Sequence, residues 1–165
     1  YSDDKRQSQA SLTAIAAGRC MASFQYSESA LPELIRQLED NGLYDEENTK
    51  KILYAGAEIF VKEARSALVR AGHIDTGAMR DNVTYYRKVD TKDGVHSVSM
   101  SIKGRDEKGV KNAVKAFVLN YGRKKAYGYI PGSHFWNAAI LSATPKMIRA
   151  CEDAANTILH EKGLI

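Results

Sequence analysis

Three side chains of this sequence could together do hydrolytic chemistry, and they lie in two separate segments. Asp75 and Thr76 place a carboxylate beside a hydroxyl, and His96 could act as a general base. However, the sequence places no histidine or second acid in a position that would activate the hydroxyl. Asp75-Thr76-Gly77 also has the composition of a structural turn. We therefore expect Asp75 to cap a short helical turn that runs through Arg80, with Gly77 relieving steric crowding. A small hydrolase stays open as an alternative.

A second candidate is a basic segment in the later half of the chain. Residues 103–125 contain eight Lys/Arg and two acidic residues, a net charge of +6 in a chain whose total is +4. Bases interleaved with tyrosines suit single-stranded nucleic acid or phosphate groups. They equally suit a protein interface, where Tyr and Arg are enriched, and we favour the interface. The candidate residues for an interface or for contact with DNA are Arg123, Lys124, Lys125, Tyr127, Tyr129, Lys111 and Lys115.

Motifs that mark enzymes and cofactor sites are missing from the sequence. There is no GxxxxGK[ST], GxSxG or HExxH pattern, and the histidines and cysteines do not cluster. We therefore expect no enzymatic activity, no cofactor and no metal. Cys20 and Cys151 lack CxxC spacing, and a disulfide between them is disfavoured in a reducing compartment. Cys151 falls in a helical pattern, where it should be a small buried hydrophobe.

Length and hydropathy set the broad class of the protein. A chain of 165 residues is most simply one domain with a real core. No apolar run approaches the roughly 20 residues that span a bilayer, and the polar first residues do not resemble a signal peptide. We therefore expect synthesis in the cytoplasm and no membrane segment. Met21 resembles a translation start, so residues 1–20 are predicted to be an N-terminal extension or arm, and residues 21–165 the single domain.

Three longer helices are predicted from apolar periodicity and from capping residues. The first covers residues 29–41, and its apolar side chains follow the i, i+3, i+4, i+7 rule. The second covers residues 45–71, begins with three acids that suit a helix N-terminus, and contains Gly56, which we read as a packing position. The last is capped by Ser133, kinks or restarts at Pro145, and continues to the C-terminus.

Two strands and a short helix are predicted between these helices. Residues 83–89 and 95–102 alternate as strands, and residues 90–94 should form the hairpin loop. In the second strand, His96, Val98, Met100 and Ile102 share one face, and the opposite face is serine-rich and wet. Residues 110–121 read as a helix whose apolar residues share a face, and residues 123–132 read as a basic loop.

The predicted fold class is therefore α+β. It has long N-terminal helices, a small antiparallel β-sheet or hairpin, a short helix, and a C-terminal helix kinked near Pro145. The helix predicted over residues 45–71 and the C-terminal helix should both pack on the sheet face that carries His96. We expect His96 to be a structural residue at the margin of the sheet.

This order of elements resembles the minor tail-component family of long-tailed bacteriophages, the gene-product-ten-like neck or tail-completion proteins. Members have a long helix, a turn of the form TG-(A/L)-(L/M)-R-(D/S)-(N/S)-(I/V), and a hairpin; the turn matches residues 76–83. A short helix of the form YA-x-(F/V)-V-E-x-G, a variable basic loop and the pattern (P)-F-(L/W)-x-x-A follow. They match residues 116–122 and 135–139. Asn120 stands where the family often has an acid, and His134 where it often has proline.

The resemblance covers about residue 21 to the end of the chain and implies a structural role in the virion. Such proteins form homo-oligomeric rings in the neck, or complete the tail before it joins the head. Their partners are other neck, connector and tail-tube proteins. They are found in the virion neck or tail, and in the host cytoplasm during assembly. DNA passes through the ring, so a basic loop could face the lumen. A stand-alone basic nucleic-acid-binding module that uses residues 103–125 is the alternative.

Overall fold

The computed structural model describes residues 22–26, 32–73, 75–92 and 95–164, and it is an α+β fold, as predicted. The predicted extension, residues 1–20, and Cys20 with it, lie outside the described residues. In chain order the elements are β1 Ala22–Tyr26, α1 Pro32–Asp40, α2 Glu46–Arg70, α3 Ala78–Asp81, β2 Val83–Lys92, β3 Val95–Ile102, α4 Asn112–Tyr121, β4 Gly122–Lys125, β5 Gly128–Pro131 and α5 Phe135–Glu161.

Helix α2 begins and ends where the sequence predicts. The Asp45 side chain accepts a hydrogen bond from the backbone N–H of Asn48 at 2.8 Å, which satisfies one of the free donors of the first turn. After the last turn, Gly72 adopts φ +70°, a conformation that glycine reaches without a steric penalty. These two signals explain why the predicted and observed bounds agree.

Helices α2 and α5 run antiparallel and bury the largest side chains of the molecule against each other. At one end, His73 packs edge-on against Phe135, with 5.7 Å between ring centroids. In the middle, Phe60 meets Trp136 at 5.0 Å, and the Glu63 carboxylate accepts hydrogen bonds from Ser142 and Lys146. These contacts make the pair the centre of the core.

The start of α5 differs from the prediction. Ser133 does not cap the helix; the cap position is His134, which has φ +51° and makes no side-chain capping bond. Of the kink or restart predicted at Pro145, the restart does not occur, because the helix continues from Phe135 to Glu161 as one element. The Pro145 nitrogen carries no hydrogen and so donates no hydrogen bond to the preceding turn. The neighbouring Thr144 makes an additional bond in that turn, because its hydroxyl donates to the Ile140 carbonyl at 2.8 Å.

The sheet has three antiparallel strands in the order β1-β3-β2, so β3 is central. The alternating pattern of the sequence predicted β2 and β3 but not β1, which pairs along β3 from Met100 to His96. The hairpin loop is also shorter than predicted, since pairing continues to Lys92 and Val95. Between Tyr85 and Val89 the register shifts, and β2 carries extra residues there, as in a β-bulge.

Helix α2 lies between α5 and the sheet, so it contacts both layers. Val98, Met100 and Ile102 are buried on the sheet face that was predicted to be apolar. His96 is half-buried at the hairpin end, where it bonds the Thr91 hydroxyl at 2.9 Å. Contrary to the predicted wet face, Ser101 is also buried.

Helix α5 packs principally on α2 rather than on the sheet, which corrects the predicted layering. None of the described helices has the length and apolar character needed to cross a membrane.

Candidate interaction surface

Helix α4 presents its apolar face to solvent. The predicted stripe exists, but Val114 is 53%, Phe117 48% and Tyr121 36% exposed. The residues that α4 buries are Asn112, Ala116 and Asn120. A helix normally buries its apolar stripe, so this orientation leaves the stripe available to another molecule.

Two buried asparagines explain why α4 is held in this orientation. The amide Nδ2 of Asn112 donates to the Lys103 carbonyl at 2.9 Å, which ties the start of α4 to the end of β3. The Asn120 Oδ1 accepts from the Trp136 backbone N–H at 2.8 Å, and its Nδ2 donates to Asn137 Oδ1 at 3.0 Å. Asn120 therefore caps α5 from a different helix, a role that the sequence analysis did not find.

The predicted basic loop is a two-stranded hairpin formed by β4 and β5. Arg123 pairs with Ile130, Lys124 with Tyr129 and Lys125 with Gly128. Every residue of this hairpin from 123 to 131 is exposed, and Tyr127 at its tip is fully so. The hairpin therefore projects from the body of the molecule instead of joining the three-stranded sheet.

Two glycines hold the hairpin tightly against the end of α4. Gly122 has φ +85°, and a Cβ there would lie 2.3 Å from the Ile130 carbonyl oxygen. A Cβ on Gly132 would lie 2.1 Å from the Asn120 carbonyl oxygen. The Tyr129 hydroxyl also donates to the Tyr121 carbonyl. The close backbone approach at both glycines fixes the position of the hairpin relative to α4.

The predicted basic residues divide into two groups. Arg123, Lys124 and Lys125 lie on β4, and within the described part of the chain they form no ion pair or side-chain hydrogen bond. Lys111 instead precedes α4, and Lys115 forms an ion pair with Asp106, whose pKa is lowered mainly by that hydrogen bond. Within the described residues, only Lys115 of these five bases is ion-paired, and three of the other four lie on the hairpin.

An apolar groove of about 570 Å³ separates α4 from the hairpin. It is lined by Val110, Val114, Val118, Leu119, Ile130 and Pro131, together with Lys115, Arg123, His73, Gly132 and Ser133. Lys115 and Arg123 bring basic side chains to an otherwise largely apolar lining. Such a groove is suited to an apolar segment with acidic neighbours.

The predicted structural turn lies beside a second cleft of about 890 Å³. Asp75 and Thr76 are exposed there, while Gly77 is buried and adopts φ +80°. The prediction that Asp75 caps α3 is wrong, because Gly77 occupies the cap position and no side chain caps the helix. The Thr76 hydroxyl is instead 3.4 Å from the Ala78 backbone N–H. The turn is thus held by the positive φ of Gly77 and by the hydrogen bond from Ala78 to the Thr76 hydroxyl.

The proposed hydrolase residues are not brought together. Val83, just after α3, pairs with Ile102 at one end of β3, whereas His96 lies six residues along the strand. At about 3.3 Å per residue this is about 20 Å. The structure shows a different pair, His73 Nε2 and the Ser133 hydroxyl at 2.7 Å. That hydroxyl is also 3.2 Å from the Leu119 carbonyl, and no carboxylate bonds His73 within the described ranges. This pair lacks the third group of a catalytic triad.

Two further observations concern metals and thiols. No group of three or more His, Cys, Asp or Glu residues in the described ranges could hold a metal ion. Cys151 is buried, and its thiol lies 3.4 Å from the Ile52 carbonyl; burial raises the pKa of this thiol to about 12. A thiol with so high a pKa is a poor nucleophile at neutral pH.

No protein-family model, curated protein or solved structure matches this chain.

Proposed function

We propose that this chain is a structural subunit of a bacteriophage neck or tail. In this role it completes the tail and joins head to tail as part of a homo-oligomeric ring through which DNA passes. The proposal starts from the order of elements: a long helix, a Thr-Gly turn, a hairpin, a short helix, a basic segment and a last helix. Neck, connector and tail-tube proteins would be its neighbours, in the host cytoplasm during assembly and in the virion afterwards.

The observation that carries the proposal is the outward apolar face of α4 beside a projecting basic hairpin. Seven of the ten large hydrophobic side chains that are exposed in the described residues lie between positions 110 and 130. A monomeric protein rarely concentrates exposed apolar surface in this way, whereas an assembly subunit uses it to bind neighbours. Ring subunits need such surfaces because each one contacts two others.

The hairpin bases suit the second part of the proposal, contact with DNA in the lumen. Arg123, Lys124 and Lys125 are exposed on a strand that projects, and phosphate groups are bound by side chains of this kind. Such contacts do not depend on sequence, as a DNA conduit requires.

The first test is the mass of the purified protein, alone and with neck or tail partners, by mass photometry. A ring-sized assembly, or a monomer that becomes a ring on a partner, is expected. A strict monomer that ignores those partners would contradict the proposal.

The second test replaces the hairpin bases. Particles assembled with the triple variant Arg123→Ala, Lys124→Ala and Lys125→Ala should assemble less efficiently or retain less DNA than wild type. The matched control replaces three exposed bases of β2, Arg87, Lys88 and Lys92, with alanine. Particles of the hairpin variant that are unchanged in yield and DNA content would contradict a role of the hairpin in the lumen.

The same three bases favour a second candidate, a stand-alone nucleic-acid-binding module. In that case the isolated monomer should bind free DNA, and log K should fall linearly with log salt, with a slope of about −0.9 per phosphate contacted. The triple alanine variant would make that slope less steep, by the contribution of up to about three phosphate contacts. A strict monomer that shows this behaviour would favour the module over the ring subunit.

A further inference from the structure

The described part of the molecule carries opposite charge at its two ends. Helix α2 has 25 residues and is therefore about 37 Å long. Its C-terminal end lies beside α4 and the hairpin, since His73 lines the apolar groove and bonds Ser133. This is the end at which residues 103–125 carry a net charge of +6.

The other end of α2 is acidic. The N-terminus of α2 lies beside the C-terminus of α5, because the Cys151 thiol lies 3.4 Å from the Ile52 carbonyl and the charge of Glu161 acts on Lys51. We define the acidic end as residues 36–51 and 151–164. These residues include eight acids and four bases, a net charge of −4. Glu39, Asp153 and Glu161 are all exposed there, and Leu164 adds an apolar side chain that is 42% exposed.

We infer that the hairpin and the apolar face of α4 dock on the acidic end of a second copy of this chain. The inference rests on the proposed function and names the contact between neighbours in the ring. Because the two surfaces lie about 37 Å apart on one molecule, they cannot pair within a subunit. Charge complementarity favours their pairing between subunits.

The charges also restrict the contact. Pairing of hairpin with hairpin would bring like charges together, whereas pairing of the hairpin with the acidic end does not. When two copies meet in this way at a single contact, the pair keeps one unused surface of each kind. Repeated addition in this way closes into a ring or continues as a filament. The apolar side chains of α4, Val114 and Phe117 among them, would supply the desolvated centre, with the hairpin bases at the rim.

Charge reversal tests this contact in the full-length protein. The first variant combines Arg123→Glu, Lys124→Glu and Lys125→Glu, and the second combines Glu39→Lys, Asp153→Lys and Glu161→Lys. Each should weaken self-association at least tenfold, as measured by analytical ultracentrifugation at low salt. All six side chains are exposed, and an unchanged circular dichroism spectrum and melting temperature would show that each variant folds.

Mixing the two variants gives the decisive measurement. In the mixture, a reversed hairpin meets a reversed acidic end, and a native hairpin meets a native acidic end. Association should therefore return as an alternating assembly, although neither variant associates alone. Docking of the hairpin on DNA or on an unrelated protein predicts no recovery on mixing, and that result would overturn the inference.

The outcomes separate this inference from the proposed function. If both charge-reversed variants still form the rings that the wild-type protein forms, this contact is overturned and the proposed ring function stands. Open filaments restored by mixing would support the contact and count against a closed ring. A wild-type protein that stays monomeric alone but forms rings on a neck partner would overturn the contact as an independent interface, while the proposed function would stand.

Discussion

The α2–α5 pair buries its large side chains. The unit made by α4 and the β4–β5 hairpin exposes its own to solvent. In the pair, Phe60 and Trp136 are buried against each other. In the α4 unit, Phe117 and Tyr127 face solvent, and asparagines form the inner face. The difference suggests that one region supplies the stability of the subunit and that the other supplies recognition.

The largest difference should appear when the same side chain is removed from each region. Phe60→Ala should lower the free energy of unfolding by about 3–5 kcal/mol, because a buried ring is lost and a cavity remains. Phe117→Ala makes the same chemical change on the exposed face and should change it by only about 0.5 kcal/mol. Urea denaturation measures both. Equal losses of stability would contradict the difference between the two regions, since the outer face of α4 would then be part of a buried core.

A smaller effect is expected at the polar inner face of α4. Asn120→Ala should lower the free energy of unfolding by about 1–3 kcal/mol, because the buried Trp136 N–H loses its acceptor. The control is Asn137→Ala, which removes an exposed partner of Asn120 but leaves the capping bond. A loss at Asn137 as large as that at Asn120 would show that capping is not what anchors α4.

An effect that is absent at neutral pH and grows only above about pH 9 concerns Cys151. Burial raises the pKa of this thiol to about 12, whereas in the unfolded chain the thiol ionises near its ordinary value of about 8.5. The folded state therefore holds the proton that the unfolded state loses, so stability should fall as pH rises from about 9 towards 12. The slope is up to about 1.4 kcal/mol per pH unit. Thermal unfolding of wild type and Cys151→Ala between pH 8 and 10.5 measures the difference in slope. Parallel curves would mean that the thiol is reached by water.

The regular elements of the fold could be predicted from sequence, because their signals are local. The N-cap Asp45 and the glycine after α2 fix its ends, and alternation identifies β3. Strand β1 was missed because its pairing with β3 joins segments about 70 residues apart, and a five-residue strand has little pattern of its own. A kink or a restart was expected at Pro145, and packing against α2 keeps α5 a single helix through this residue.

The candidate surface was predicted only in part. The periodicity of α4 gives the apolar stripe, but a period cannot say whether a stripe faces its own core or another molecule. The outward orientation is set by two amides, Asn112 and Asn120, whose partners are distant in sequence. The hairpin was read as a loop because Gly122, Gly128 and Gly132 look like helix breakers. Their structural role, close backbone approach at Gly122 and Gly132, appears only once the neighbours are in place.

The capping bond of Asn120 also has a mechanical consequence. Gly132 packs on the Asn120 carbonyl, and the same asparagine holds the first turn of α5, so Asn120 links the base of the hairpin to α5. Force applied at Tyr127 would therefore be carried through Asn120 into α5, a rod of 27 residues and about 40 Å. The far end of that rod is the acidic end. A displacement of the hairpin tip in one subunit would thus tilt the acidic end, the surface on which we propose that its neighbour docks.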